Sequence, residues 1–545
     1  MVARHPVTCC HHPASALSMP TAPEPSSSNR NPGGEGRSLL RSSAVTSGST
    51  FISRILGLVR EMVFAALFGD SAAADAFFVA FKIPNFLRRL FAEGAFSQAF
   101  VPVLSSYRTN ATRDEIRLFL DHVAGSLGLV LALITVIGVL AAPVLAGIFA
   151  PGYLDDDAKF ALLAEMLRIT FPYILLISLT GFAGAVLNSY GHFAAPALTP
   201  VILNVVLIGS ALLLGPLFSE PAMALAWGVL MAGGLQLMFQ LPFLAHLKLV
   251  PRPRFKGRHP GVKQVLSLML PVMFSVSVGQ INLMLDTILA TSIEGDGSVS
   301  WLYYSDRLME LPLGIIGIAI ATVILPTLSR IHSRGDTVEF GRTLDWGLRC
   351  IVVMGLPASV ALVSLAHPLI ITLYQRGEFG VDSVVPTAQS LQAYSLGLLA
   401  FMAIKVLASA YFSRQDTRTP VRYGVIAMVS NMVLNLILLI PLAHVGLALA
   451  TSISAFINAG LLWWGLHRQG GVDAGAGWPL LMLRVGAALL CMLLVLYLLS
   501  RPDAVWIAWT DLQRVGWLAL VCAAGGLSYL VALWLGGLRL AHFRI

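Results

Sequence analysis

The stretch AAADAFFVAFKIPNFLRRLFAEGAFSQAFVPVL, residues 72–104, decides the fold class. It is apolar and longer than the roughly 20 residues a helix needs to cross a bilayer. It also carries Asp75, Lys82, Arg88, Arg89 and Glu93, with Pro84 in its interior. A Lys or Arg at the bilayer centre costs about 2.5–3.5 kcal/mol even on lenient insertion scales. Such a helix cannot face lipid all round, and its proline predicts a kink or a strong tilt. The stretch therefore reads as one membrane helix among several, with its charges turned toward water or toward each other.

Working outward, thirteen more segments of similar character follow one another: 42–68, 122–149, 162–187, 195–215, 222–245, 264–291, 299–329, 343–366, 385–411, 423–440, 445–466, 479–500 and 512–538. Many contain Gly and Pro, which membrane helices tolerate and the strands of a membrane barrel do not resemble. The eighth span, 299–329, carries Pro312 and should bend as the second does. The whole chain of 545 residues is 57% hydrophobic and 12% charged, with a mean hydropathy of +0.78. Ordinary globular chains carry roughly twice that charge, which excludes a soluble enzyme, a disordered chain and a disulfide scaffold. The five cysteines imply no framework of bridges. Cys9-Cys10-His11-His12 lacks the C-x2-C spacing of a zinc site. Residues 1–38 are rich in Pro, Ser, Asn and Gly and lack the apolar core of a signal peptide. They read as a disordered extension, with Met19 as an alternative start.

A formal charge of +8 in a soluble chain would suggest nucleic acid, but here it reports topology. With the N-terminus in the cytoplasm, 22 of the 36 Lys and Arg fall on cytoplasmic segments. Only Lys159, Arg376 and Arg501 fall outside. Positive residues stay inside, so both termini are placed in the cytoplasm. Ala76–Ser105 aligns without gaps on Ser300–Ser329, pairing Pro102 with Pro326 and Leu104 with Leu328. Two six-helix lobes around a central cavity follow, as in transporters built from repeats. The expected division is 39–247 for the first lobe, 248–263 for a basic cytoplasmic linker and 264–467 for the second lobe. Two appended helices and a tail occupy 468–545.

Charges inside the spans carry the functional signal. Arg54 and Arg88 have no carboxylate three or four residues away, and Arg307 lies two turns inside the outer boundary. Arginine's planar fork suits phosphate oxygens, so arginines from both lobes predict an anion site at membrane depth. The structural alternative is internal pairing, as for Arg89 with Glu93 or Asp75 with Lys82 along one helix face. A second group comprises Asp286, Asn431, Asn435 and Thr451. Their oxygens suit a sodium ion, or Asp286 alone could carry a proton; plain interhelical hydrogen bonding is the competing account. No P-loop, GxSxG or HExxH motif points to a hydrolase.

The same residues carry a resemblance. Residues 74–104, SRILGLVRE (53–61), FPYILLISL (171–179), GSVSWLYYSDRLMELPLG (297–314) and YFSRQDTRTPV (411–421) resemble the signature of the MurJ (MviN) family of lipid II flippases. The resemblance implies the fold of the multidrug/oligosaccharidyl-lipid/polysaccharide exporter superfamily. It further implies a transporter, not an enzyme, in the inner membrane, serving peptidoglycan synthesis. Lipid II would be its substrate, with membrane lipids and other cell-wall synthesis or division proteins as partners. Carried over by motif, the substrate site holds Arg54, Arg60, Asp75, Lys82, Arg88, Glu93 and Arg307. The last two helices would hold the lipid tail, and no cofactor is implied beyond a coupling cation. Two alternatives stay open. One is an exporter of another polyprenyl-linked glycan or of organic cations. The other is an integral-membrane glycosyltransferase or ligase, for which the largest outer loop, near 367–384, is short.

Overall fold

The computed structural model describes residues 32–89, 96–255, 259–470 and 477–539. Among them every regular element is helical. From the N-terminus, α1 spans Pro32–Phe68, α2 Ala72–Arg88, α3 Ser97–Asn110, α4 Arg113–Leu140, α5 Ala142–Phe149, α6 Asp157–Thr170 and α7 Tyr173–Ser189. Next come α8 (Ala194–Gly209), α9 (Met223–His246), α10 (Pro260–Thr291), α11 (Ser298–Pro312), α12 (Ile318–Ser333) and α13 (Thr337–Ser364). The remainder are α14 (Ala366–Leu373), α15 (Val384–Leu396), α16 (Leu398–Ser413), α17 (Arg418–Arg468), α18 (Trp478–Leu499), α19 (Asp503–Ala508) and α20 (Asp511–Leu535). Val45–Ile545 forms one compact unit; Met1–Ala44 is separate, and of it Pro32–Ala44 is helical. Residues 1–31 of the expected extension lie outside the described residues, and the helix begins within its last part.

Local chemistry explains where the helices start. Ser71 caps α2 by accepting from the Ala74 amide, and Thr112 with Glu115 forms a reciprocal capping box on α4. Asp156 accepts from the Ala158 and Lys159 amides at the start of α6. Among the described residues, ten helical stretches are long and apolar enough to cross a membrane. Fourteen spans were read from the sequence; α2 as a 17-residue helix falls short of that length, and the 51-residue α17 holds two of the expected spans. The surface is apolar where lipid would lie: Leu140, Leu213 and Ile440 are all at least 74% exposed. In water such a surface would aggregate. This is a multi-pass membrane protein.

Irregular turns among the described residues shape the interior. After Pro312, residues Leu313–Gly317 form a π-helical turn before α12 begins. Arg89 and Phe96, on either side of the undescribed residues 90–95, are π-helical as well. Within α17, Ala443 breaks the helix at φ 47° and ψ −129°, two residues after Pro441. The chain there doubles back so tightly that a Cβ on Gly446 would strike the Leu438 backbone. Asn431 on the first arm consequently reaches Thr451 and Ser454 on the second.

One arginine at a helix end is buried. Arg514 sits near a helix end, where a long basic side chain is expected to reach for water. It is instead 7% exposed and donates to the carbonyls of Trp506, Ile507 and Gln375. Its guanidinium thus ties α20 to α19 and to the loop after α14.

Candidate functional site

A cavity of about 230 Å³ opens between α2, α10 and α11, with α15, α16 and the second arm of α17 completing its wall. Its apolar lining includes Phe78, Phe81, Leu283, Met284 and Phe401. Against this stand three cations, Lys82, Arg89 and Arg307, and three acids, Asp286, Asp306 and Glu310. Pro84 lies in α2 between Lys82 and Arg89, and the π turn beyond Pro312 follows Glu310.

Of the expected site residues, the structure brings Lys82 and Arg307 into this lining. Arg307 donates to Glu310 at 2.7 Å and lies 5.0 Å from the Tyr303 ring, while its buried Nε has no partner. Glu310 is three residues on in sequence, a pairing the sequence reading passed over. Lys82 and Asp306 line the cavity without a hydrogen bond or ion pair among the described residues.

Arg54, Arg60, Arg88 and Asp75 are not among the lining residues, and each has a local reason. Arg60 is ion-paired with its neighbour Glu61, donates to Asn204 at 2.9 Å and lies over Phe64. Glu61 also accepts from Tyr303 at 3.0 Å. Burial makes that pairing obligatory, since an unpaired buried charge costs several kcal/mol. Arg88 donates to Asn85, one turn back on its own helix. Arg54 rests its guanidinium against the backbone of Gly314, inside the π turn at the cavity's edge. Glu93 lies outside the described residues.

Asp75 does something different. It is 2% exposed and sits at the N-terminus of α11, whose own N-cap residue, Gly297, has no side chain to offer. Asp75 supplies the missing cap from α2. It accepts from the Gly297 amide at 2.9 Å, the Ser300 amide at 2.9 Å and the Ser300 hydroxyl at 2.6 Å. The positive end of a helix favours a carboxylate there. Close by, Trp301 donates to Asp70 at 2.6 Å and Tyr304 to the Gly69 carbonyl at 3.1 Å. Phe78 stacks on Tyr303 with ring centres 4.0 Å apart. These contacts hold the start of α11 against α2, beside the cavity lining at Phe78 and Tyr303.

The second expected group also assembles. Asp286 accepts from Asn435 at 2.7 Å and from Thr451 at 3.1 Å, and Asn435 donates to Asn431 at 2.9 Å. Turning the Asn431 amide over would instead bond it to Asn282 and Asp286. Asp286 and Thr451 line the same cavity as Lys82 and Arg307. Among the described residues, no cluster of three His, Cys, Asp or Glu could hold a metal. Any ion here would be met by one carboxylate plus amide and hydroxyl oxygens, a set that suits a hard monovalent cation.

Comparison with known proteins gives this arrangement its context. The sequence profile described as "Lipid II flippase MurJ" matches residues 64–514. The "Probable lipid II flippase MurJ" of Vibrio cholerae serotype O1 is 47% identical over 515 residues, covering 93% of this chain and 98% of that protein. This chain belongs to the MurJ family. The "Lipid II flippase MurJ" of Burkholderia cenocepacia is 39% identical, over 93% of this chain and 99% of its own. A solved MurJ in an inward closed conformation superposes with a TM-score of 0.75 at 27% identity, covering 90% of this chain and 98% of its own. An inward-facing multidrug transporter of the MATE family matches at a TM-score of 0.66 and 14% identity, over 77% of this chain and 94% of its own. That likeness shows shared fold only.

Sequence reasoning missed four residues of this region as site members: Arg89, Asp306 and Glu310 in the lining, and Lys159 beside Asp75. The first three were visible as charges within spans. Lys159 carried a weaker signal, being one of the three basic residues that the charge asymmetry assigns to outer segments.

Proposed function

We propose that this protein carries lipid II from the cytoplasmic to the outer leaflet of the inner membrane, by alternating access between the lobes 39–247 and 264–467, with both termini cytoplasmic. The observation that carries this reading is the charged cavity walled by α2, α10 and α11 in a chain of this family. Lipid II joins a pyrophosphate to a bulky polar headgroup and a polyprenyl tail, and each polar group it exposed to hydrocarbon would cost several kcal/mol. A polar cavity removes that cost. At about 230 Å³ the cavity is smaller than the roughly 300–1,000 Å³ that drug-sized ligands occupy. The lobes must therefore separate before a disaccharide-pentapeptide can enter.

Within the cavity the pyrophosphate would take Arg307 from Glu310, since a bidentate arginine–phosphate pair is stronger than a single carboxylate contact. Lys82 supplies a second charge from the opposite wall, and Arg54, held against Gly314 at the cavity's edge, would add a third once the lobes part. Asp75 serves as the outer gate. The tail would lie in the apolar groove between α13 and α20, lined by Met354, Pro357, Met492, Gly526 and Leu530. The enzymes that make and consume lipid II are the expected neighbours. A sodium ion or proton at Asp286 would couple the cycle, and the membrane potential adds about 2.3 kcal/mol per charge per 100 mV. The acids Asp306 and Glu310 also favour a second reading, export of organic cations, in which lipid II would be a bystander.

Depleting the protein tests the main reading: lipid II should become inaccessible to an enzyme acting only at the outer face. Unchanged accessibility rejects it, and competition by organic cations would favour the second. For the cation, sodium should raise the thermal midpoint of the purified protein, as any ligand of the folded state does, and Asp286→Asn should abolish that rise. A midpoint indifferent to both sodium and pH in the unaltered protein would remove the coupling site.

A further inference from the structure

Lys159 opens α6 and is 6% exposed, yet it belongs to no part of the cavity wall. Its ammonium lies 3.4 Å from Asp75, 2.7 Å from Asp296 and 4.2 Å from the centre of the Tyr153 ring. Asp75 and Lys159 stand on α2 and α6, in the same half of the sequence, whereas Asp296 and the amides that Asp75 caps belong to the approach and first turn of α11. When α11 withdraws, Asp75 loses three hydrogen bonds and keeps Lys159.

We propose that Lys159 is a positioning residue of the outer gate: its ammonium neutralises the Asp75 carboxylate and aims it at the N-terminus of α11, so that the closed gate forms over the empty cavity. The proposal rests on the alternating-access reading above. The physical reason is the desolvation of a carboxylate. In the closed gate Asp75 is cut off from water, and a buried charge is tolerated only with a partner of opposite sign. In the open gate Asp75 keeps Lys159 but water also solvates its carboxylate, so the ion pair matters much less there. Removing Lys159 therefore penalises the closed state and spares the open one. Asp296, whose side chain is 56% exposed, contributes much less because water already shares its charge.

The test reads the gate without using any lipid. With the five native cysteines replaced by serine, Ala290→Cys places a thiol in the cavity lining. Its labelling by a membrane-impermeant maleimide applied from the outer face measures how often the gate opens. Lys159→Met should raise the labelling rate about tenfold, within the usual range for coupled sites. Lys159→Arg should return it toward the starting rate, and Asp296→Asn should change it less than about twofold. In an Asp75→Asn background, Lys159→Met should add little, because contacting residues in one network are not additive. A purely structural lysine would instead multiply the rate equally in both backgrounds, and that result overturns the proposal. So does an unchanged rate in Lys159→Met protein that reaches the membrane at normal levels. Should that variant fail to insert, Lys159→Gln carries the same comparison. Failure here leaves the lipid II reading standing, since depletion tests that separately.

Discussion

Arg54 and Gly314 form a contact that no spacing rule would find, because 260 residues separate them in the chain. A Cβ at position 314 would overlap the Arg54 guanidinium. The guanidinium is the far end of a flexible side chain, so Gly314→Ala should displace it at a stability cost under about 1 kcal/mol. If Arg54 contributes to holding pyrophosphate, that displacement should lower lipid II affinity severalfold in a direct binding assay. In an Arg54→Ala background, Gly314→Ala should lower it no further. Equal losses in both backgrounds would place the effect in the π turn itself. At this scale the sequence was informative about which residues are unusual and poor about their partners. Lys82 and Arg307 were picked out as charges that lipid cannot hold, and both line the cavity. Arg60 was picked out on the same ground and is absorbed by Glu61, its immediate neighbour, because the two side chains turn together onto Asn204 and Tyr303.

At the scale of elements, length and apolar character located most spans, and proline marked their breaks. The break expected between 440 and 445 falls at Ala443, and the interruption expected at Pro312 is a π turn. Hidden from the sequence was the cap that α11 borrows from α2, since a glycine N-cap gives no hint that a distant carboxylate supplies it. The start of α10 offers a pH test. His259 is its N-cap, accepting from the Gly261 amide through Nδ1 at 3.1 Å, and its ring lies 5.2 Å from that of His122 and 5.9 Å from that of Tyr107. Burial first, and then the neighbouring His122, hold its pKa below the usual 6.5. The unfolded chain therefore binds a proton at higher pH than the folded one. Stability rises with pH wherever the unfolded state binds more protons, so this histidine's contribution is lost as the pH falls below about 6.5. Protonation of Nδ1 also removes the acceptor the cap requires. The thermal midpoint should thus drop between about pH 7.5 and pH 5.5, and His259→Asn, which caps without titrating, should reduce that drop. An equal drop in both proteins would assign it to other groups.

For the molecule as a whole, the two ends of lipid II make opposite demands, and the fold offers a charged cavity and an apolar groove in different places. The charged cavity lies among α2, α10 and α11, whereas the groove between α13 and α20 offers almost nothing but apolar atoms. Two glycines in that groove behave differently. A Cβ on Gly525 would press into Leu496, so a side chain there must displace Leu496 where α18 and α20 pack. A Cβ on Gly526 would meet nothing within 4 Å, so a side chain there projects into the groove without straining the helices. Gly526→Leu should accordingly leave membrane levels and thermal stability near those of the unaltered protein, because a helix gains propensity when glycine is replaced. Its effect should fall on the tail alone. Transport of lipid II with its full polyprenyl chain should slow severalfold, while an analogue with a tail of a few isoprene units should move at the original rate. Gly525→Leu, by contrast, should lower the thermal midpoint and reduce transport of both. If Gly526→Leu slowed the short-tailed analogue as much as the long one, the groove would act on the lobes' motion, and the tail would have to lie elsewhere.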